Sequence, residues 1–209
     1  MRIYFARHGE SYANTTRVVS NHGLKHPLTP PGRLQVRALA QRLEGRAISH
    51  VYASPVLRAL ETGILVANHL RVDYEVVDSL REYDCGELEG RSDEACWQQM
   101  DELARAWVVD HQWERRLPGG ESGWEVRQRF EDFVNELVRR HSSADEKVLC
   151  VAHGGVYWLA LPLILNNLTV PFLVKHGLGY TACCTAELQP SGLAAIEWNF
   201  TPLPEALDG

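Results

Sequence analysis

Residue types that handle anions stand directly after three short apolar runs of this sequence. Arg7 and His8 follow Arg2–Ala6, Arg58 lies just beyond His50–Ala53, and His153-Gly154-Gly155 follows Lys147–Ala152. Apolar residues run together there without a helical period, so each run reads as a buried strand. In open α/β sheets, ligands bind beyond the carboxyl ends of the strands. Two arginines and two histidines on that edge would make a pocket for a phosphate. Arg58 in the first turns of a helix faces the positive end of the helix dipole, a placement that favours stability only if an anion sits nearby. The glycines after His153 would let backbone amides approach the same anion. Each feature also has a plainer use: Arg58 can pair with Glu61 at i, i+3, Gly154-Gly155 can be turn chemistry, and His8 can be a packed histidine. Their convergence at three strand ends favours the pocket.

The elements that must hold these groups follow from periodicity and capping. From Thr29-Pro30-Pro31 to Gly45 the pattern is helical, with Leu34, Leu39 and Leu43 near one face, Thr29 as cap and Gly45 as terminator. Ser54-Pro55 offers an N-cap and a first-turn proline for a helix running to about Leu70, with Arg58 as its fourth residue. Tyr74–Val77 reads as a further strand. Ser122-Gly123-Trp124-Glu125 is a capping box, followed by Val126, Phe130, Phe133, Val134, Leu137 and Val138 at helical spacing. Another helix opens at Gly154. Strands alternate with helices, which predicts an α/β fold with a largely parallel sheet. No linker divides the chain, so residues 1–209 are expected to form a single domain.

Composition narrows the function classes. The 209 residues are 45% hydrophobic and 23% charged, with a formal net charge of −6. That balance argues against nucleic acid or an anionic membrane as partner. The most apolar stretch, Val148–Leu165, is interrupted by His153, Gly154, Gly155 and Pro162 and will not span a bilayer. Met1–Ala6 is too short for a signal peptide. Cys85, Cys96, Cys150, Cys183 and Cys184 are an odd set without metal-ligand spacing, which fits a reducing, cytoplasmic setting.

Beyond these readings, the sequence resembles the histidine phosphatase superfamily, the phosphoglycerate mutase-like proteins. Arg7-His8-Gly9-Glu10 resembles its N-terminal signature. The likeness continues through Asn14, Leu28-Thr29-Pro30-Pro31-Gly32, Ser54 to Thr62, Leu80-Arg81-Glu82, Pro118 to Ser122 and Ala152-His153-Gly154-Gly155. The resemblance implies a three-layer sandwich, a mostly parallel central sheet flanked by helices, with a helical cap insertion at about 90–118. It implies that His8 attacks phosphorus as a neutral imidazole to form a phosphohistidine. Arg7, Arg58 and His153 would hold the phosphoryl oxygens, helped by Asn14 and Gly154. Glu82 would be the general acid and base, its pKa raised by Asp84 or Glu87. No metal and no cofactor are implied. The partner would be a small phosphorylated substrate, and the protein a monomer or homodimer.

Two departures separate the chain from the mutases. Ala13 precedes Asn14 where those enzymes carry tryptophan, and Tyr83-Asp84-Cys85 replaces the basic and aromatic residues that hold a glycerate carboxylate. Both resemble the phosphatase branch, so the expected activity is metal-independent phosphomonoester hydrolysis. The alternatives are a cofactor-dependent phosphoglycerate mutase and a non-catalytic phospho-ligand-binding member. Trp97, Trp107 and Trp113 could line the pocket, Arg115-Arg116 could meet a second acidic group, and the loop from Thr15 to His26 could close over the site. Cys85 and Arg91 have the spacing of cysteine-dependent phosphatases, but that spacing arises about 0.4 times by chance in such a composition. Glu87 and Glu89 would also oppose a thiolate there. His22 and His26 lie in a proline- and glycine-containing stretch, which is poor ground for a metal site.

Overall fold

The computed structural model describes residues 1–141 and 145–204. Its strands are β1 (Arg2–Arg7), β2 (His50–Ala53), β3 (Asp73–Val76), β4 (Lys147–Ala152), β5 (Cys183–Gln189), β6 (Gly192–Trp198) and β7 (Thr201–Pro202). Its helices are α1 (Tyr12–Thr15), α2 (Pro30–Leu43), α3 (Leu57–Leu70), α4 (Glu94–Val108), α5 (Gly123–Arg140), α6 (Gly154–Ile164) and α7 (Val170–His176). The strands form one sheet in the order β3-β2-β4-β1-β5-β6-β7.

Alternation along the strands builds three layers, because successive side chains point to opposite faces. Tyr4, Ala6, Val51, Ala53, Leu149 and Val151 pack with Val36, Leu39 and Leu43 of α2 and Val66 of α3. Ile3, Phe5, Tyr52, Val148, Cys150 and Ala152 pack on the other face with Trp107 of α4, Phe130 of α5, Tyr157 of α6 and Phe172 of α7. Burial on both faces explains why β1 and β4 read as unbroken apolar runs.

The registers bring the functional strand ends level. Arg7 pairs with Ala152 across β1 and β4, and Ala53 with Val151 across β2 and β4. Backbone bonds from His8 N to Ala152 O (3.0 Å) and Ser54 N to Val151 O (3.0 Å) extend that alignment past the strands. Residues 8, 54 and 153 therefore emerge on one edge.

Four expectations need correction. The sheet is mixed: β3, β2, β4 and β1 run parallel, while β5, β6 and β7 add antiparallel joints. The β5–β6 hairpin turns at Pro190-Ser191, between paired Gln189 and Gly192. Helix α3 starts at Leu57, so Arg58 is its second residue, and Ser54 does not cap it. Leu34 is 63% exposed. The phase of α2 is set instead by Gly32, where a Cβ would lie 2.0 Å from Glu10 O. Segment 90–118, expected as a helical cap, is helical only over α4. The Thr29 cap, which accepts from Gly32 N, and the Ser122–Glu125 capping box form as read.

Candidate active site

His8 follows β1 and is 2% exposed. Arg58 Nε lies 2.9 Å from His8 Nε2. A guanidinium N–H can only donate, so Nε2 is the unprotonated nitrogen and the proton sits on Nδ1. Nδ1 then donates to Gly9 O at 2.7 Å. Burial, reinforced by Arg58 and Arg7, holds the His8 pKa well below the usual histidine range, so the ring is neutral. The fold thus fixes one tautomer and points its lone pair at a cationic group.

Arg58 also donates to Ser20 O. Burial brings its pKa down to about 10, with Glu82 opposing the shift and Arg7 adding to it, so it stays charged at neutral pH. Arg7 donates to Leu178 O at 2.8 Å and lies 4.6 Å from the Tyr180 ring centroid. Its Nε is buried without a partner. Glu61, the alternative partner for Arg58, is taken by Arg33 (2.6 Å) and Leu28 N (2.7 Å). His153 is fully buried with its ring centroid 5.2 Å from that of His8. Its Nε2 meets Ser54 Oγ at 2.7 Å, and its Nδ1 has no partner. Burial, then Arg58, His8 and Arg7, press its pKa well below the ordinary value.

Glu82 is 9% exposed and is held by the start of α6. Gly155 N donates to its Oε2 (2.9 Å), and Val156 N (2.7 Å) and Tyr83 N (3.1 Å) donate to its Oε1. The α6 amides were expected to face the anion; in the structure they hold this carboxylate. Only glycine fits at 155, since a Cβ would lie 2.4 Å from Tyr83 Cε1 and 2.7 Å from Glu82 Oε1. The expected like-charge crowding of Glu82 by Asp84 or Glu87 has no counterpart here. Asp84 Oδ1 accepts from Gly86 N (2.7 Å) and meets His22 Nε2 (2.9 Å), and neither carboxylate lines the cavity with Glu82.

Two residues supporting this loop escaped the sequence reading. Arg129 of α5 donates to Ser79 O (2.7 Å), Arg81 O (3.0 Å) and Glu82 O (3.4 Å), and its Nε and Nη2 meet both oxygens of Glu121 (2.9 and 3.1 Å). Glu121 also accepts from Asp84 N (2.9 Å) and Arg81. Together they hold the backbone from 79 to 84. The signal available was a cation on the otherwise packed face of an amphipathic helix, one turn after Glu125.

Arg7, His8, Asn14, Arg58, Glu82 and Gly154 line one cavity of about 210 Å³, together with Ala13, residues 18–21, Trp97 and Met100. Asn14 Oδ1 accepts from the Ser11 amide (3.0 Å) and hydroxyl (2.8 Å), which leaves its amide nitrogen for a ligand. Residues 18–21 are pinned to segment 85–91 through Val19 N to Arg91 O (2.8 Å), Gly90 N to Val19 O (2.8 Å) and Asn21 Nδ2 to Cys85 Sγ (3.0 Å). Trp107 lines a neighbouring cavity. Trp113 packs against Trp124, while Arg115 faces Glu102 (3.9 Å) and Arg116 faces Glu125 (3.1 Å), so these three stand outside both cavities. Burial raises the Cys85 thiol far above the usual cysteine range, which disqualifies it as a nucleophile. The described residues hold no group of three or more His, Cys, Asp or Glu side chains suited to a metal ion.

Residues 3–201 match the model of the histidine phosphatase superfamily, branch 1. The chain belongs to that superfamily. Among its histidine phosphatase relatives, a protein of Proteus mirabilis named probable phosphoglycerate mutase is 31% identical over 186 residues, 88% of this chain and 82% of that one. The adenosylcobalamin/alpha-ribazole phosphatase of Escherichia coli is 30% identical over 167 residues, 79% of this chain and 80% of that one. The solved mycobacterial glucosyl-3-phosphoglycerate phosphatase, in complex with VO3, superposes with a TM-score of 0.76 at 25% identity, over 95% of this chain and 98% of that one. These relatives are phosphatases or phosphoglycerate mutase-like enzymes, and the fold is the phosphoglycerate mutase-like α/β fold.

Proposed function

We propose that this histidine phosphatase hydrolyses a small phosphomonoester without a metal ion, through a phosphohistidine on His8. The observation that carries the reading is the Nε2 lone pair of His8, held unprotonated against Arg58 in a buried pocket. Nε2 attacks phosphorus in line with the leaving oxygen; the N–P bond forms as the P–O bond breaks. Arg7 Nε and His153 Nδ1, both without partners, and Arg58 donate to the equatorial oxygens. The Ser54 hydroxyl, donating to His153 Nε2, sets the tautomer with Nδ1–H free for this task. Glu82, in its acid form, gives its proton to the leaving oxygen, and the alcohol departs. Water then attacks phosphorus, the N–P bond breaks, Glu82 takes the water's proton, and phosphate leaves with His8 restored.

Water as acceptor is supported by Ala13, which stands before Asn14 where the mutases carry tryptophan, and by the lack, among the described residues, of lining cations beyond Arg7 and Arg58 to hold a glycerate carboxylate. Asp84 is turned to His22 and does not line the cavity. The reading takes the whole chain as one domain, with α4 as the cap above the cavity. Its five free, buried cysteines support a reducing compartment such as the cytoplasm.

The decisive experiment is phosphate release from a phosphomonoester panel in chelator, for wild type and His8→Ala, with primed 3-phosphoglycerate alongside. Release that disappears in His8→Ala, by a factor on the order of 10⁴ or more, supports the hydrolase. Isomerisation without net release makes the chain a mutase. Turnover that survives His8→Ala, or that chelator abolishes, refutes the mechanism.

A further inference from the structure

A second cavity of about 320 Å³ adjoins the one that holds His8. Arg7, Tyr83, Gly154 and Gly155 belong to the walls of both. Its remaining walls are Ala104 and Trp107 of α4, Trp158 and Leu159 of α6, and Leu178. We infer that this cavity takes the leaving group, and that the substrate is the phosphate monoester of an uncharged planar ring, an aryl or heteroaryl alcohol. The inference rests on the phosphohistidine reading and deepens it.

Three observations favour that class. First, the walls away from the shared border are wholly apolar or aromatic, with half-buried Trp158 beside Trp107, which meets Tyr83 edge to face at 5.3 Å, so aromatic rings make up much of the wall. Second, two polar atoms of these walls are already committed: Trp107 Nε1 donates to Arg115 O (2.7 Å) and Leu178 O accepts from Arg7 (2.8 Å). A sugar would bury hydroxyls beside groups that are already paired, whereas a ring needs none. Third, among the described residues Arg7 is the one cation on the border and no other lines the second cavity. With Arg7 and Arg58 taken by the phosphoryl group, a carboxylate or second phosphate would be buried unpaired. The size fits as well, since cavities of about 300 Å³ lie at the small end of ligand pockets.

Trp158 and Ala104 are then the specificity-determining positions, one as a platform and the other as the space beside it. Kinetics of wild type and Ala104→Leu on 1-naphthyl phosphate, methyl phosphate and 3-phosphoglycerate test this. Wild type should favour 1-naphthyl phosphate over methyl phosphate and 3-phosphoglycerate by about 100-fold in kcat/KM, the scale expected for burying a ring. Ala104→Leu, which fills the cavity while keeping a good helix former in α4, should cut the naphthyl-to-methyl ratio about tenfold. His8-dependent release without ring preference, or a ratio that Ala104→Leu leaves intact, overturns the substrate class and spares the mechanism. If no ester turns over, tryptophan-fluorescence titration of wild type with 1-naphthyl phosphate and 3-phosphoglycerate separates the two readings. Tighter binding of the naphthyl ester keeps the cavity assignment, and equal or weaker binding removes it.

Discussion

Arg58, buried, and Arg129, half-buried, stand on helices packed on the same sheet, yet they are spent in opposite ways. Arg129 directs its fork at three backbone carbonyls and both oxygens of Glu121. Its donors are used up, its charge is neutralised, and it has nothing left for a ligand. Arg58 bonds a neutral histidine and one carbonyl, with the cation Arg7 close enough to lower its pKa. Arg7 keeps a buried Nε without a partner, and His153 an Nδ1. Buried polar groups are almost always paired, and each exception costs about 1–3 kcal/mol. At Arg7 and His153 a phosphoryl group would supply the missing acceptors, whereas His50 Nε2 and His141 Nδ1, also without hydrogen-bond partners, lie away from the site. Saturated bonding marks support, and unfinished bonding marks the place where chemistry is expected.

Replacing the two arginines should separate activity from stability. Arg58→Ala removes a charge-assisted donor to the transition state and should lower kcat/KM by about 10³-fold. It also relieves a buried cation facing Arg7, so its Tm in thermal denaturation should stay level or rise; a large fall in Tm would erase the contrast. Arg129→Ala takes one of its two guanidinium partners from Glu121, leaving it to Arg81 and Asp84 N, and strips the carbonyls of 79, 81 and 82 of their donor; it should cost about 2–3 kcal/mol in denaturant unfolding. Because the Glu82 loop loses its anchor, kcat should fall more than KM changes, by about 10–100-fold. Arg129→Lys, lacking the fork, should recover little of either.

Acid supplies a smaller test of the same contrast. His8 and His153 have folded-state pKa values pushed well below the unfolded value near 6.5. The unfolded chain therefore binds more protons below that pH, and their contribution to stability is full above about 6.5 and lost as pH falls beneath it. Each group should add a slope of at most about 1.4 kcal/mol per pH unit between pH 6.5 and 5. His8→Gln, measured by urea unfolding across that range, should flatten the slope; an unchanged slope would mean that the ring is already charged when folded. The smallest effect belongs to Cys85→Ser: with the thiol buried and its pKa raised, kcat/KM should stay within about twofold, the ordinary scatter of a substitution outside the reacting groups.

The sequence by itself determined the edge on which the chemistry would stand. Apolar runs ending in Arg7-His8, Ser54 and His153 could only be strands delivering those residues to one side, because a strand buried on both faces needs an unbroken apolar run. Capping at Thr29 and Ser122 was equally legible, since it depends on residues three apart. What lay outside local pattern was left to the tertiary structure. The antiparallel strands β5 to β7 depend on pairing with β1 and on one another, a relation that no local period records. Helix α3 begins beyond Ser54, whose Oγ accepts from Val56 N and also meets His153, 99 residues away. The α6 amides went to Glu82 instead of the open pocket, and Asp84 turned to His22. Arg129 gained its role only when α5 crossed the 79–84 segment. In each case the deciding partner lies far along the chain, and hydrogen-bond satisfaction in a buried site is settled by whichever partners the fold brings within reach.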